Sequence, residues 1–319
     1  MSIINEPLFE RLLTLSPFSA RELGILIATA PYRYKSHYIE KRNGRGKRLI
    51  SQPTAELKFL QRLVVKHEMS SLQIHNAATA YRPNRSIKEH ALPHARARYL
   101  LKLDFRDFFP SLKATALRHR LLADANYSAQ ELWMLCQILC RRPRRDAELQ
   151  LSIGAPSSPY VSNYLMYEFD SKLARSCEAC GAEYTRYADD IAISTSFPQI
   201  LDIIEVEVRR LLGELDYLGL SLNEGKTVNV STKNRRTLVG LVLANDGNVS
   251  IGREEKRRLR AAMHKLTQGK LPVEETARLR GQLAFAYSID PDFVNDLCAR
   301  SNFASVAAIS QPDNGKQTD

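Results

Sequence analysis

Apolar residues recur every three or four positions over 6–15 and 19–30, which predicts two helices near the start of the chain. Ser19 is placed as an N-cap of the second, with Glu22 three residues on and Pro31 at its end. Alternation replaces that period over 37–52 and predicts a hairpin with its turn at Asn43-Gly44-Arg45-Gly46. From Pro53 the helical period returns, with Leu57, Leu60, Val64 and Val65 on one face as far as about His67. Residues 76–87 read as a short strand and a basic loop, and 99–104 as an apolar strand running into a chain reversal at Pro110. Helices are expected over 114–122 and 129–140, a strand over 149–153, and a helix over 160–175. Two short β-prone stretches, 183–186 and 191–194, flank a turn. An amphipathic helix over 199–218 ends at Gly219, a strand pair follows over 235–243, and 251–303 is helical. Residues 311–319 are polar and expected to fray. The mixture of separate helices and antiparallel strands predicts an α+β fold, without internal repeats.

Composition narrows the class. With 319 residues, 44% of them hydrophobic, the chain can bury a sizeable core as one multi-lobed unit or two to three subdomains. A net charge of +11 favours a polyanionic partner, either nucleic acid or an anionic membrane surface. No apolar run approaches the ~20 residues that span a bilayer, and the N-terminus lacks a signal-peptide pattern. The five cysteines suggest reduced thiols in a cytoplasm. Cys177 and Cys180 have metal-like spacing, with Cys136 and Cys140 as conceivable partners, but the latter pair lies on an apolar helical pattern that suits buried thiols.

The chemistry concentrates in Tyr187-Ala188-Asp189-Asp190 and in Leu103-Asp104-Phe105-Arg106-Asp107-Phe108-Phe109-Pro110. Asp189-Asp190 alone is compatible with a solvated hairpin loop. A third acid, Asp104, at another strand end changes that reading to a carboxylate cluster, whose oxygens suit Mg²⁺. Unneutralised, each close pair of carboxylates costs on the order of 4 kcal/mol at an effective dielectric of about 20. Arg82, Arg85 and Lys88 read as phosphate contacts or as an ordinary solvated loop. The same choice applies to Arg141, Arg142, Arg144 and Arg145. Arg253, Lys256, Arg257 and Arg260 line a helix that can lie along a duplex.

A strand ending in Asp104, then Gly154-Ala155-Pro156-Ser157-Ser158-Pro159, then Tyr-Ala-Asp-Asp resembles the palm of a reverse transcriptase. Chain length and flanking sequence narrow the resemblance to the bacterial retron enzymes, over about residues 35–300. It implies a right-hand polymerase: fingers over 1–98 and 111–155, palm over 99–110 and 156–244, thumb over 245–319. It further implies RNA-directed DNA synthesis with two Mg²⁺ ions held by Asp104, Asp189, Asp190 and the Phe105 carbonyl, with Lys226 near the leaving pyrophosphate. By the same resemblance Lys47, Arg48, Asp107, Phe108, Phe109, Gly154, Ala155 and Pro156 contact the deoxynucleoside triphosphate, and Phe109 is a steric gate against a 2′-hydroxyl. His94, Ser157, Ser158, Tyr187 and Gly240 join the basic residues on the nucleic acid.

Three positions depart from the family pattern: His90 where asparagine is usual, Ile153 where glutamine is common, and Leu238-Val239-Gly240 where Val-Thr-Gly is usual. Implied partners are a cognate non-coding RNA and its branched product (msDNA), a separate effector protein in an anti-phage system, and a host RNase H, with no membrane. The competing readings are an intron-encoded reverse transcriptase and an RNA-binding scaffold or antitoxin-like module that restrains an effector.

Overall fold

The computed structural model describes residues 3–40, 44 and 46–309. Helix α1 (Pro7–Leu15) and helix α2 (Ala20–Thr29) bury Leu8, Phe9, Leu12, Leu23, Leu26 and Ile27. Ser19 and Glu22 close a reciprocal capping box at the start of α2, as the spacing predicts. Strands β1 (Tyr34–Glu40) and β2 (Lys47–Pro53) pair antiparallel, with Ile39 opposite Arg48. Lys41, Arg42, Asn43 and Arg45 of the expected turn lie outside the described residues, as do 310–319. Pro53 does not open a helix. It ends β2, and Thr54 precedes α3 (Ala55–Val64), whose buried face carries Leu57, Leu60 and Val64.

The expected strand within 76–87 is absent. Buried anchors hold this stretch as turns, and only Ala78 makes a β-bridge, to Arg186. A short helix α4 (Ile87–Ala91) leads to β3 (Tyr99–Asp104), a helical turn α5 (Phe108–Ser111), α6 (Ala114–Asp124) and α7 (Ala129–Leu139). Residues 149–153 form isolated bridges from Gln150 to Lys113 and Arg141 rather than a strand. The helix expected over 160–175 is two, α8 (Ser158–Leu165) and α9 (Tyr167–Ala179), with Met166 between them.

Strands β4 (Glu183–Tyr187), β5 (Asp190–Thr195) and β6 (Val228–Ser231) complete a sheet of order β4-β5-β3-β6, antiparallel throughout. Helix α10 (Ile200–Glu214) ends earlier than its pattern suggests, and a single 3₁₀ turn, Asp216–Leu218, carries the chain to left-handed Gly219. A second sheet of β7 (Arg236–Leu238), β8 (Leu241–Leu243) and β9 (Val249–Ser250) precedes α11 (Arg253–Thr267), α12 (Val273–Ile289) and α13 (Pro291–Arg300).

Two hydrophobic cores follow from this order. The first joins the N-terminal helices to one face of the β3–β5 sheet through Leu101, Leu103, Ile191 and Ile193. The second packs α11–α13 under β7–β9 and reaches the opposite sheet face at Leu100 and Ala192. Alternation along β3 and β5 therefore sends successive side chains into different cores. Among the described residues no helix is long and apolar enough to cross a membrane, and all five cysteines are free thiols.

Candidate active site

The register of the central sheet brings the acids together. Asp104, the last residue of β3, is the cross-strand partner of Asp190, the first residue of β5. Cross-strand partners hold their Cβ atoms about 4.5–5.5 Å apart. Asp189 precedes Asp190 in a two-residue turn whose other member, Ala188, has φ +57°. The Asp189 carbonyl accepts the Phe105 N–H at 3.2 Å, which ties the turn to the backbone just beyond Asp104.

Burial, and then the charge of Asp104, push the Asp189 carboxyl above its ordinary range. Burial, Asp189 and Asp104 in that order raise Asp190 to about 6. On the other side, Lys226 Nζ donates to Asp104 Oδ2 at 2.7 Å. The adjoining loop is pinned to β3 because the Asn223 N–H donates to the Asp104 carbonyl at 2.7 Å.

Among the described residues no three His, Cys, Asp or Glu side chains close into a metal cage. The set is an open cluster on two neighbouring strand ends. That arrangement still fits Mg²⁺, which keeps several waters and takes only one or two protein carboxylates. Burial first, and mutual repulsion second, raise these carboxyl groups, and a divalent cation would relieve the repulsive part.

The remaining sequence-derived site residues divide into exposed and committed groups. Lys47, Arg48, Arg85, Asp107, Arg144, Arg145, Gly154, Gly240, Arg253, Arg257 and Arg260 are exposed, and Phe109, Pro156 and Tyr187 are half-buried. Asp107 has φ +44° and Gly240 φ +87°. Others are corrected by what they touch. Phe108 is buried and stacks on Phe105 at 5.6 Å, so it supports the site from the core and cannot reach a nucleotide. Ala155 is likewise buried.

Ser157 and Ser158 are buried too, and Ser158 Oγ accepts the Ser152 N–H, so neither faces nucleic acid. Arg82 is half-buried and donates to the carbonyls of His75 and Ala78. Arg141 and Arg142 are half-buried and not corrected, because among the described residues Arg141 pairs only its backbone with Gln150 and the Arg142 side chain hydrogen-bonds only through Nη1, to the Ala147 carbonyl. Lys256 pairs with Asp290 and lies over the Phe293 ring.

His94 is also corrected, because it is wholly buried. Its Nδ1 meets Ser194 Oγ and its Nε2 meets Thr185 Oγ1, both at 2.7 Å. The Thr185 hydroxyl has three neighbours and one proton. It donates to the His90 carbonyl, so His94 Nε2–H and His90 Nδ1–H must both donate to it. His94 Nδ1 then accepts from Ser194. These histidines clamp β4 to β5 behind Tyr187, whose ring lies 5.8 Å from that of His90.

Sequence reasoning missed Asp170, Arg186 and Asn223. An arginine between Tyr184 and Tyr187 on a β-prone stretch and a lone aspartate beside Phe169 and Leu173 were the available signals for a buried pair.

The family described as "Reverse transcriptase (RNA-dependent DNA polymerase)" matches residues 39–243. A retron Ec83 reverse transcriptase from Escherichia coli is 33% identical over 92% of this chain and 95% of its own length. The chain belongs to the retron reverse transcriptases. The Ec73 retron enzyme, also from Escherichia coli, is 33% identical over 85% of this chain and 88% of its own length. Among solved structures, apo telomerase from Candida tropicalis overlaps with a TM-score of 0.49 at 14% identity, covering 89% of this chain and 58% of that one.

The fold is accordingly the right-hand polymerase of α+β class, and the activity is RNA-directed DNA polymerisation. Its nucleic-acid partners are RNA and DNA, and the family generally uses divalent metal ions.

Proposed function

We propose that this enzyme reverse-transcribes its own non-coding RNA, starting from the 2′-hydroxyl of a guanosine, into a branched RNA–DNA molecule. The observation that carries the proposal is the Asp104–Asp190 register, with Asp189 in the adjoining turn and Lys226 on Asp104, in a chain with retron relatives over nearly its whole length. The three carboxylates and the Phe105 carbonyl would hold the two Mg²⁺ ions, which when bound would supply activation of the priming hydroxyl and stabilisation of the leaving pyrophosphate.

The chain's own groups do the rest. Arg48 and Lys47 on β2 hold the triphosphate, for which a planar guanidinium is well matched. Lys226, on the open side of Asp104, neutralises charge that develops on the leaving group. The Phe109 ring, five residues after Asp104, lies under the incoming sugar and excludes a 2′-hydroxyl. Arg253, Arg257 and Arg260 track duplex phosphates from α11.

Residues 1–98 and 111–155 serve as fingers, 99–110 and 156–244 as palm, and 245–319 as thumb. The product acts in the cytoplasm within an anti-phage system that includes a separate effector, and host RNase H trims the template.

The test is co-expression with the neighbouring non-coding locus, wild type beside Asp189→Asn/Asp190→Asn. Short DNA branched from RNA, present only with the wild type, is the expected result. RNA retained equally by both proteins with no DNA made overturns the proposal in favour of a binding scaffold.

A further inference from the structure

Tyr81 lies in the left-handed backbone region at φ +62°, which a bulky side chain adopts only when its surroundings enforce it. The enforcement is present on both sides. Thr79 donates its backbone N–H at 2.8 Å and its hydroxyl at 3.0 Å to the Arg186 carbonyl. The Ala80 carbonyl accepts the buried Asn163 amide at 2.8 Å. Arg82 then closes the turn on the carbonyls of His75 and Ala78. None of these anchors uses the tyrosine side chain.

Tyr81 is 48% exposed, with its ring centroid 6.3 Å from that of Phe109 and the two planes tilted by 46°. Its hydroxyl has no hydrogen-bond partner among the described residues. Burial and the charge of Asp189 raise the phenol to about 12, with Arg48 acting in the opposite sense, so the group stays protonated beside the catalytic acid and the fingers cation.

A strained, well-anchored aromatic therefore faces Phe109, within the influence of charges on the acid turn and on β2. We propose that Tyr81 and Phe109 form a two-ring clamp on the sugar of the incoming deoxynucleoside triphosphate, which makes Tyr81 a specificity-determining residue. The inference rests on the proposed nucleotide site, Phe109 included. The two tilted rings touch each other and offer one continuous apolar surface against which the sugar packs. A 2′-hydroxyl pressed against that surface loses water without gaining a partner, a penalty on the order of ten- to a hundredfold in selectivity.

The experiment is primer extension on an RNA template by the full chain, with kcat and KM measured for one deoxynucleotide and its ribonucleotide. The variants are Tyr81→Phe, Tyr81→Ala, Tyr81→Gly and Phe109→Ala. Tyr81→Ala is expected to raise deoxynucleotide KM about tenfold, with a smaller change in kcat, and to narrow the deoxy preference by ten- to a hundredfold. Tyr81→Phe keeps the ring and stays within about threefold of wild type. Tyr81→Gly relieves the strained φ, so it melts no lower than wild type yet loses discrimination as the alanine does.

Unchanged KM and preference in Tyr81→Ala and Tyr81→Gly overturns the clamp, and so does a Tyr81→Phe variant as impaired as the alanine. If Phe109→Ala loosens discrimination while Tyr81→Ala does not, the clamp alone fails. If Phe109→Ala leaves discrimination at the wild-type value, the nucleotide-site reading fails with it.

Discussion

Arg186 and Asp170 form a two-pronged ion pair, at 2.8 and 2.6 Å, with neither side chain exposed, directly behind the turn that carries Asp189 and Asp190. The remaining bonding capacity of the pair is directed at the site. Tyr184 donates its hydroxyl to Asp170 Oδ1 at 2.6 Å, and Arg186 Nη1 donates to the Ala188 carbonyl at 2.9 Å. A buried pair is poor evidence of stability, because desolvation offsets most of the attraction. Its placement carries more meaning. One guanidinium joins α9 to a turn residue at φ +57°, and so fixes where both carboxylates point.

Breaking the pair from one side should therefore cost both stability and activity. Asp170→Asn leaves the Arg186 charge buried and is expected to destabilise the chain by roughly 3–5 kcal/mol, read as a lowered midpoint in denaturant unfolding. Arg186→Lys keeps the charge but loses the fork. It should fold, with kcat reduced on the order of a hundredfold as the turn loosens. Wild-type kcat in Arg186→Lys would remove the positioning role.

Which parts were legible in the sequence follows from the range of the interactions involved. Asp104, Asp189 and Asp190 stand at strand ends that alternation marks locally, and the register of β3 with β5 then follows from matching apolar faces. The Ser19 capping box was legible for the same reason, since its partners are three residues apart. Residues 76–87 were not, because their conformation is set by Asn163 and Arg186, more than eighty residues away. Arg82 alone is compatible with a phosphate contact or a solvated loop, and His94 is placed on nucleic acid only by the family resemblance. Only the packed chain shows Arg82 Nη1 engaged by two carbonyls and the imidazole enclosed between β4 and β5.

The enclosed histidines set an acid limit on stability. Burial, reinforced by Arg186, lowers His90 to about 4, and burial with His90 lowers His94 to about 3, both from 6.5. The unfolded chain binds protons below about pH 6.5 that the native histidines refuse, so their stabilising contribution is present above that pH and is lost as pH falls. Between about pH 6 and 4.5 stability should drop by about 1.4 kcal/mol per pH unit for each histidine. Urea unfolding across that range checks the slope. A flat profile would place at least one of the two rings in water.

Gly154 has φ +111°, and a Cβ there would lie 3.1 Å from both Ile50 Cγ2 and the Ser51 carbonyl oxygen and 3.2 Å from Gln52 Cγ. The Ile153 carbonyl meanwhile accepts the Ser51 N–H at 2.8 Å, so this loop is the seat of the β2 strand that carries Lys47 and Arg48. Gly154→Ala must therefore push β2 outward or strain the turn. The expected result is a KM for deoxynucleotide raised roughly tenfold, with destabilisation of about 1–3 kcal/mol. Substitution at Gly44, where φ is also positive at +66° but no described residue lies within 4 Å of the added carbon, serves as the contrasting site for steric effects.

The acid cluster itself should trade stability against chemistry. Asp190, raised to about 6 by burial and by its two neighbours, is held ionised at neutral pH against the preference of its surroundings. Its contribution to stability is complete below the unfolded value of 3.8, is lost as pH rises through about 6, and leaves the site destabilised above that. Asp190→Asn removes the charge while keeping the shape. It should raise neutral-pH stability by about 1–2 kcal/mol while abolishing polymerisation. Added Mg²⁺ should stabilise the wild type, by binding the native state alone, and have little effect on the variant. Thermal melts with and without Mg²⁺, run beside primer extension, measure both. Equal Mg²⁺ stabilisation of the two proteins would mean that the ion is held without Asp190, and the carboxylates would then need another reason to lie together.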